Sequence, residues 1–257
     1  MFYVLVLALA ALGTFGLVQH RRHVAWGQPL VIAATVALLI ACLWRIFSPG
    51  TAANEEELAR LYTENQVAYQ TVASEKLGRH LAQHHAGAKA LVILPLPFRH
   101  SPKDIGARTD GLKRGLGDSV TVVDWHRPKM PDAYDQLDAE RPDTKRMAEL
   151  PPVFSLYTAE YIDELTQRSA GRYDLLISLN GLPLFDVSQI TFWRQPGRPR
   201  IAVLGHERKT IEKLLQSGLI DVAVVSAKGG VFTPSSIPGD LEEAFARRFE
   251  LLTSNPK

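Results

Sequence analysis

Residues 201–225 read IAVLGHERKTIEKLLQSGLIDVAVV. This is a strand, a helix and a second strand in a row, with His206 where the first strand hands over to the helix and Gly218 at the helix end. Both strand runs are almost continuously apolar and rich in Val and Ile. Half-buried strands alternate apolar and polar residues, so unbroken runs mark strands covered on both faces, as in a parallel sheet.

The same grammar extends outward. Five such runs occur: ALVILPLP (90–97), VTVVDW (120–125), YDLLISL (173–179), RIAVLGH (200–206) and DVAVVSA (221–227). Between them lie the helical segments SPKDIGARTDGLKRGLG, YTAEYIDELTQRSAG, a short DVSQITFW and ERKTIEKLLQSG, with DLEEAFARRFELLT closing the chain as a helix. Alternating strands and helices give a doubly wound, mainly parallel five-stranded α/β sheet with helices on both faces. Ser101, Pro102 and Asp104 supply a cap, a first-turn proline and a first-turn acid, and Asp186 with Gln189 has capping-box spacing. Gly117, Gly171 and Gly218 mark helix ends.

The runs ALVILP, TVVDWH, YDLLISLNGLP and above all IAVLGH followed by LLQSGLIDVAVV resemble one lobe of the type I periplasmic binding proteins, over roughly Ser74–Phe249. That family closes two lobes around a solute, whereas this chain has strands for only one. KALVILPLP, ISLNGLPLFDVSQITFW and GGVFTP also look like a group of bacterial membrane-anchored proteins, a resemblance that implies no activity.

Upstream of the sheet the composition changes. Residues 2–20 and 23–44 contain no Asp, Glu, Lys or Arg, and each run is about the length of 17–25 residues that a bilayer-crossing helix needs. They read as a transmembrane helical hairpin over 1–47, with spans of about 2–19 and 26–47. Pro29 suits the first turn of the second span, and Trp26 and Trp44 suit interfacial positions. A cleaved signal carries positive charge before its apolar core; here Arg21 and Arg22 follow the core, which favours an uncleaved span. A buried helical pair in a soluble fold is the alternative. The loop arginines belong on the cytoplasmic side, so the expected location is the bacterial inner membrane, with the N-terminus and C-terminal domain outside the cytoplasm. Residues 48–73 read as linker and helical stalk, and 74–257 as the extracytoplasmic domain.

Three of the 29 basic residues (Arg21, Arg22, Arg45) fall in the membrane part, whereas all 27 acidic residues lie beyond it. The outer domain is therefore near neutral, with no basic stripe of the kind that binds nucleic acid. The single cysteine, Cys42, sits in the second span, so the outer domain has neither a disulfide nor a thiol nucleophile.

In open parallel sheets, ligands bind beyond the carboxyl ends of the strands, where strand order reverses. An order of 2-1-3-4-5 puts the residues after strands one and three beside that crevice. The strand-end polar residues are Arg99, His100, Asp124, His126, Asn180 and His206, and these are the ligand candidates. Each has a competing role in a turn or helix cap, because His, Asn and Asp are favoured there. The sequence argues against dinucleotide binding: PLPFRHSP follows the first strand without a G-x-G-x-x-G, and its prolines remove amides that would cradle a pyrophosphate. The phosphate-loop motif and the G-x-S-x-G elbow are also absent. His80 and His84 share a helix face with His85 alongside, but two ligands do not make a zinc site.

Two loops are unusual. Residues 127–156 form a proline-rich, charged connection longer than the 12–15 residues of ordinary loops, able to cover the crevice or to dock through MAELPPVF, which contains Phe154. LPLFDVSQITFWRQPGRPR gathers Phe192 and Trp193, core residues if buried and partner anchors if exposed. These features point to a scaffold subunit binding a protein partner in the cell envelope, or alternatively to a small-solute binding module. Polar strand ends alone are weak grounds for an enzyme, and no cofactor is implied.

Overall fold

The computed structural model describes residues 2–22, 24–47, 49–96, 101–129, 156–183, 187–205, 207–230 and 237–254. Two compact units divide the chain, Met1–Leu61 and Tyr62–Lys257.

The first unit holds α1 (Phe2–Arg21), α2 (Gly27–Phe47) and the first turns of α3 (Pro49–His84). Small residues let α1 and α2 approach closely. A Cβ at Gly16 would lie 3.0 Å from Val31 Cγ2, and one at Gly27 would lie 2.7 Å from His20 Cα. Phe15 packs on Trp26 with ring centroids 5.9 Å apart. Among the described residues no helix is long and apolar enough to cross a membrane; the described side chains begin at Val6 in α1 and end at Leu43 in α2. The paired helices of the sequence reading are present, but the fold itself does not carry their transmembrane character.

The second unit continues α3 and adds β1 (Lys89–Ile93), α4 (Pro102–Leu116), β2 (Thr121–His126), α5 (Ala159–Arg168), β3 (Leu175–Ser178), β4 (Arg200–Leu204), α6 (Arg208–Gln216), β5 (Val222–Ser226), α7 (Leu241–Arg248) and β6 (Phe249–Thr253). The sheet order is β2-β1-β3-β4-β5-β6. The first five strands are parallel in the expected order, and β6 pairs antiparallel to β5 from Val222↔Thr253 to Ser226↔Phe249. The sheet is thus six-stranded and mixed, correcting the five-stranded expectation. FELLT is a strand rather than the end of a helix, because pairing along the otherwise open edge of β5 overrides its local helical preference.

Alternate residues of β1, β3, β4 and β5 serve opposite layers. Ala90, Val92, Ile177 and Val224 face Leu77, Leu81, Leu112 and Phe245 of α3, α4 and α7. Leu91, Ile93, Val203 and Val225 face Ile162, Leu165, Ile211 and Leu215 of α5 and α6. This two-sided burial is the reason the strand runs lack alternation.

Other local readings meet mixed outcomes. Ser101 caps α4 by accepting from Asp104 N at 3.1 Å, and Gly117, Gly171 and Gly218 all take positive φ. α3 is unbroken at Ala73 and includes the SPGTAAN residues from Pro49 onward, so the linker is helical. The short helix expected at DVSQITFW is two single 3₁₀ turns, Val187–Gln189 and Phe192–Arg194; the Asp186 cap lies outside the described residues. Phe192 and Trp193 are buried, Trp193 at 5% exposure, so the condition for a partner anchor is not met and both belong to the core.

Candidate functional site

The order β2-β1-β3 makes the gap between β1 and β3 the place where successive crossovers diverge to opposite sides, and the crevice lies beyond the carboxyl ends of these strands. The chain leaves β1 through Leu94, Pro95 and Leu96, all buried. It leaves β3 through Leu179, Asn180 and Gly181, the last at φ 73°. Leu179 N donates to Ile93 O at 2.9 Å, extending the parallel ladder by one residue past both strands. Asn180 Oδ1 then accepts from Leu96 N at 3.1 Å, so one amide ties the two exits together.

That bond fixes the orientation of the Asn180 side chain and turns its Nδ2 the other way. Asn180 is 8% exposed, and Nδ2 has no hydrogen-bond partner among the described residues. An unsatisfied buried donor costs roughly 1–3 kcal/mol, and such groups in native folds call for an explanation.

On the α5 side of the crevice, the Tyr157 hydroxyl lies 3.0 Å from Ser178 Oγ and donates to Gly181 O at 3.2 Å. Ser178 Oγ also donates to Gly181 O. Burial pushes the Tyr157 and Tyr161 phenols well above their ordinary pKa. The Tyr161 hydroxyl is buried without a hydrogen-bond partner among the described residues, and its ring lies 5.9 Å from that of His126. His126 Nδ1 is 4.0 Å from Asp124 Oδ2. Burial lowers the imidazole's pKa, with Asp124 opposing the shift.

On the α4 side, Arg108 is buried and donates to Leu179 O at 2.8 Å, with Asp104 at 3.5 Å. The groups gathered here are neutral phenols, a hydroxyl whose proton points to a carbonyl, an imidazole disfavouring its charged form, and an amide with a spare donor. Such a set offers hydrogen-bond donors and acceptors to polar groups.

Asp124 and His126 lie together on β2, with Asn180 across β1 at roughly 10 Å, two strand spacings away. Arg99, His100, His206 and Phe154 lie outside the described residues. Sequence reasoning missed Ser178, Tyr157, Tyr161 and Arg108. Ser178 leaves a trace as a polar residue inside an apolar run, and Arg108 as a charge four residues before the buried Leu112. The two tyrosines leave none. At the opposite end of the sheet, His80 and His84 stack with centroids 4.2 Å apart, and His84 Nδ1 donates to His80 O at 2.8 Å. Among the described residues no group of three or more His, Cys, Asp or Glu side chains is placed to hold a metal.

Fold and site together define an open α/β domain with a polar crevice at its strand-order switch. No family model and no curated protein matches the chain. Among solved structures it is similar to the XylFII molecule (TM-score 0.44, 12% identity, 72% of this chain and 61% of that chain). It is also similar to the XylFII-LytSN complex (0.40, 12%, 61% and 48%). A third is GanP, a glucose-galactose binding protein from Geobacillus stearothermophilus (0.40, 14%, 61% and 47%). The chain thus spans about half the length of the last two.

Proposed function

We propose that the α/β unit is a small-solute recognition module whose ligand sits at the carboxyl edge between β1 and β3, and that the α1–α2 hairpin holds it in a lipid bilayer. The observation that supports the first part is the buried Asn180 Nδ2, which has no acceptor among the described residues. A ligand hydroxyl or carbonyl oxygen placed there would satisfy it, and the Tyr161 hydroxyl is a second group short of a partner. The ligand class is a polar, uncharged solute bearing hydroxyl or amide groups. The alternative role as a scaffold of an envelope complex gains nothing from Phe192 and Trp193, because both are core.

The hairpin reading rests on side-chain chemistry. Its outward residues are apolar, with Leu7 at 71% and Ile40 at 60% exposure. The hydroxyls of Thr14 and Thr35 bond to carbonyls one turn back in their own helices, which spares lipid an unsatisfied polar group. Arg21 and Arg22 would lie on the cytoplasmic side of the bacterial inner membrane, with the α/β unit outside the cytoplasm.

The test is thermal melting of the full chain in mild detergent against sugars, nucleosides and polar amides. A ligand at a hundred times its Kd adds about 2.7 kcal/mol, a rise of roughly 5–10 °C for a domain of this size. Asn180→Ala should abolish the ligand-induced rise. Flat melts across the panel overturn the solute reading. For the hairpin, release of the protein from membranes by alkaline carbonate overturns the anchor.

A further inference from the structure

The turn that leaves β3 is held from several directions. Leu179 O accepts from Arg108 of α4 at 2.8 Å, and Asn180 Oδ1 accepts from Leu96 N of the β1 exit at 3.1 Å. Gly181 O accepts from Ser178 Oγ of β3 and from the Tyr157 hydroxyl at 3.2 Å. The Asn180 amide has only one orientation that satisfies Leu96, because a backbone N–H can be met by Oδ1 and not by Nδ2. Where Nδ2 stands is therefore set by the backbone of residues 179–181. Gly181 has φ 73°, a conformation glycine adopts at no steric cost. Glycine is also the residue freest to leave it, so the bonds to Gly181 O restrict a swing that would carry Asn180 away.

Tyr157 is itself placed by α5. It directly precedes Thr158, the N-cap of that helix, whose hydroxyl accepts from Tyr161 N at 3.2 Å. Ile162 and Leu165 seat the helix in the core, where the Tyr157 ring is buried too. One turn further on, Asp163 accepts from Thr191 N at 2.9 Å and from Phe192 N at 3.0 Å. A single helix thus ties the connection between β3 and β4 at two places, at Gly181 through Tyr157 and at Thr191 and Phe192 through Asp163.

The hydroxyl protons are used up inside this tie. Ser178 and Tyr157 carry one each. The Ser178 proton goes to Gly181 O, and the Tyr157 proton faces Gly181 O and the Ser178 Oγ 3.0 Å away. Burial keeps the phenol protonated by pushing its pKa well above the ordinary value. Neither hydroxyl has a proton left for a ligand, so both act on the turn and not on a solute. A site held in its binding geometry beforehand spends less of its affinity on ordering.

We propose that Tyr157, together with Ser178, is a positioning residue of the crevice, holding the 179–181 turn from α5 so that Asn180 Nδ2 is presented to the solute in one place. Its purpose rests on the solute-recognition reading above, whereas the order of the turn can be measured without any ligand. The first measurement is ¹⁵N relaxation of the Asn180 side-chain amide in the full chain in mild detergent, the resonance being identified by its absence from Asn180→Ala. The expected order parameter is about 0.85 in the parent, the value of rigid backbone, and below about 0.6 in Tyr157→Phe. Ser178→Ala removes the other hydroxyl and should loosen the amide as well, which keeps the test valid if Tyr157→Phe misfolds. Leu77→Ala, which weakens the opposite layer of the sheet, should leave the amide ordered. The second measurement titrates Tyr157→Phe with the member of the sugar, nucleoside and amide panel that raises the parent's Tm. Its Kd should rise about three- to ten-fold, the size of one neutral hydrogen bond. An amide as ordered in both hydroxyl variants as in the parent overturns the proposal. Equal loosening in Leu77→Ala overturns it too, since stability and not position would then be the cause, and so does an unchanged Kd beside a loosened amide. A flat panel in the parent overturns the solute reading instead, with the relaxation data still deciding whether Tyr157 fixes the turn.

Discussion

The α3–α4 contact makes opposite forecasts for two glycines of one helix. Gly106 and Gly115 both lie in α4, and neither adopts positive φ. Alanine at an unconstrained helical position stabilises by roughly 0.4–1 kcal/mol, largely by restricting the unfolded chain. A Cβ at Gly106 meets nothing within 4 Å, so Gly106→Ala should show that gain. At Gly115 the new methyl would stand 2.8 Å from Arg79 N and 2.9 Å from Gly78 Cα, and closer still to Glu75 O. These are backbone atoms that no rotamer change can move aside. Overpacking of this kind costs about 1–3 kcal/mol, because the helices must separate and loosen Leu77, Leu112 and Leu116 between them. After subtracting the propensity gain, Gly115→Ala should lose about 1–2 kcal/mol. At 2–4 °C per kcal/mol for a domain of this size, the Tm should fall by roughly 2–8 °C, whereas Gly106→Ala should raise it by up to about 4 °C. The assay is urea and thermal unfolding of the full chain followed by far-UV circular dichroism, with unchanged m values as the check on two-state comparison. Equal stability of the two variants would refute the close-packing argument.

Asp163 offers a second handle. Its carboxylate accepts from Thr191 N at 3.0 and 2.9 Å, from Thr191 Oγ1 at 2.8 Å and from Phe192 N at 3.0 Å, anchoring the turn that carries Trp193. Asp163→Ala should lose about 1.5–3 kcal/mol, the range for a hydrogen bond to a charged group, and red-shift tryptophan emission; an unchanged spectrum and Tm would count against that anchoring. For pH, burial and then the neighbouring His84 lower the His80 pKa from 6.5 to about 4. Its folded pKa lies below its unfolded one, so the unfolded chain takes up the proton first and stability declines as pH falls from about 6.5 towards 4. His80→Gln should flatten part of that decline, since His85 and His126 are shifted in the same direction; an identical slope in the variant would refute the assignment. Leu77→Ala, at a fully buried position, should cost about 2–5 kcal/mol, and a Tm change under 2 °C would show that the α3 layer is not part of the cooperative core.

The parallel sheet was readable because two-sided burial imposes an unbroken apolar run, a pattern carried by adjacent residues. β6 was not, because FELLT continues a good helical sequence and becomes a strand only when the edge of β5 is there to receive it. The candidate site divides along the same line. Asn180 was found because it directly follows a strand run, and Asp124 and His126 because they end one. Tyr157 and Tyr161 reach the site from a helix start whose sequence gives no sign of what it will face. Trp193 shows the converse. A tryptophan in a proline- and arginine-rich loop fits a surface anchor, but two 3₁₀ turns held by Asp163 fold it under the sheet.

The two ends of the sheet differ in how completely their polar groups are paired among the described residues. At the amino edge, acids and backbone amides are matched: Asp174 accepts from Lys89 N at 3.1 Å, and Asp221 accepts from Ile201 N at 2.8 Å and from Arg200 at 2.7 Å. Each acid there closes the start of a strand, which is structural work completed within the chain. At the carboxyl edge, Asn180 performs the corresponding task with its oxygen on Leu96 N, yet its buried nitrogen and the buried Tyr161 hydroxyl have no hydrogen-bond partner among the described residues. A carboxylate at position 180 would accept the same amide and leave no orphan donor, so tying the strands does not by itself require an amide side chain. Burying a carboxylate at this position carries a desolvation cost whichever reading holds, so the ligand response decides: if the nitrogen has no ligand to meet, Asn180→Asp should keep the ligand-induced rise in Tm, and if the crevice is the recognition site, the same change should remove it.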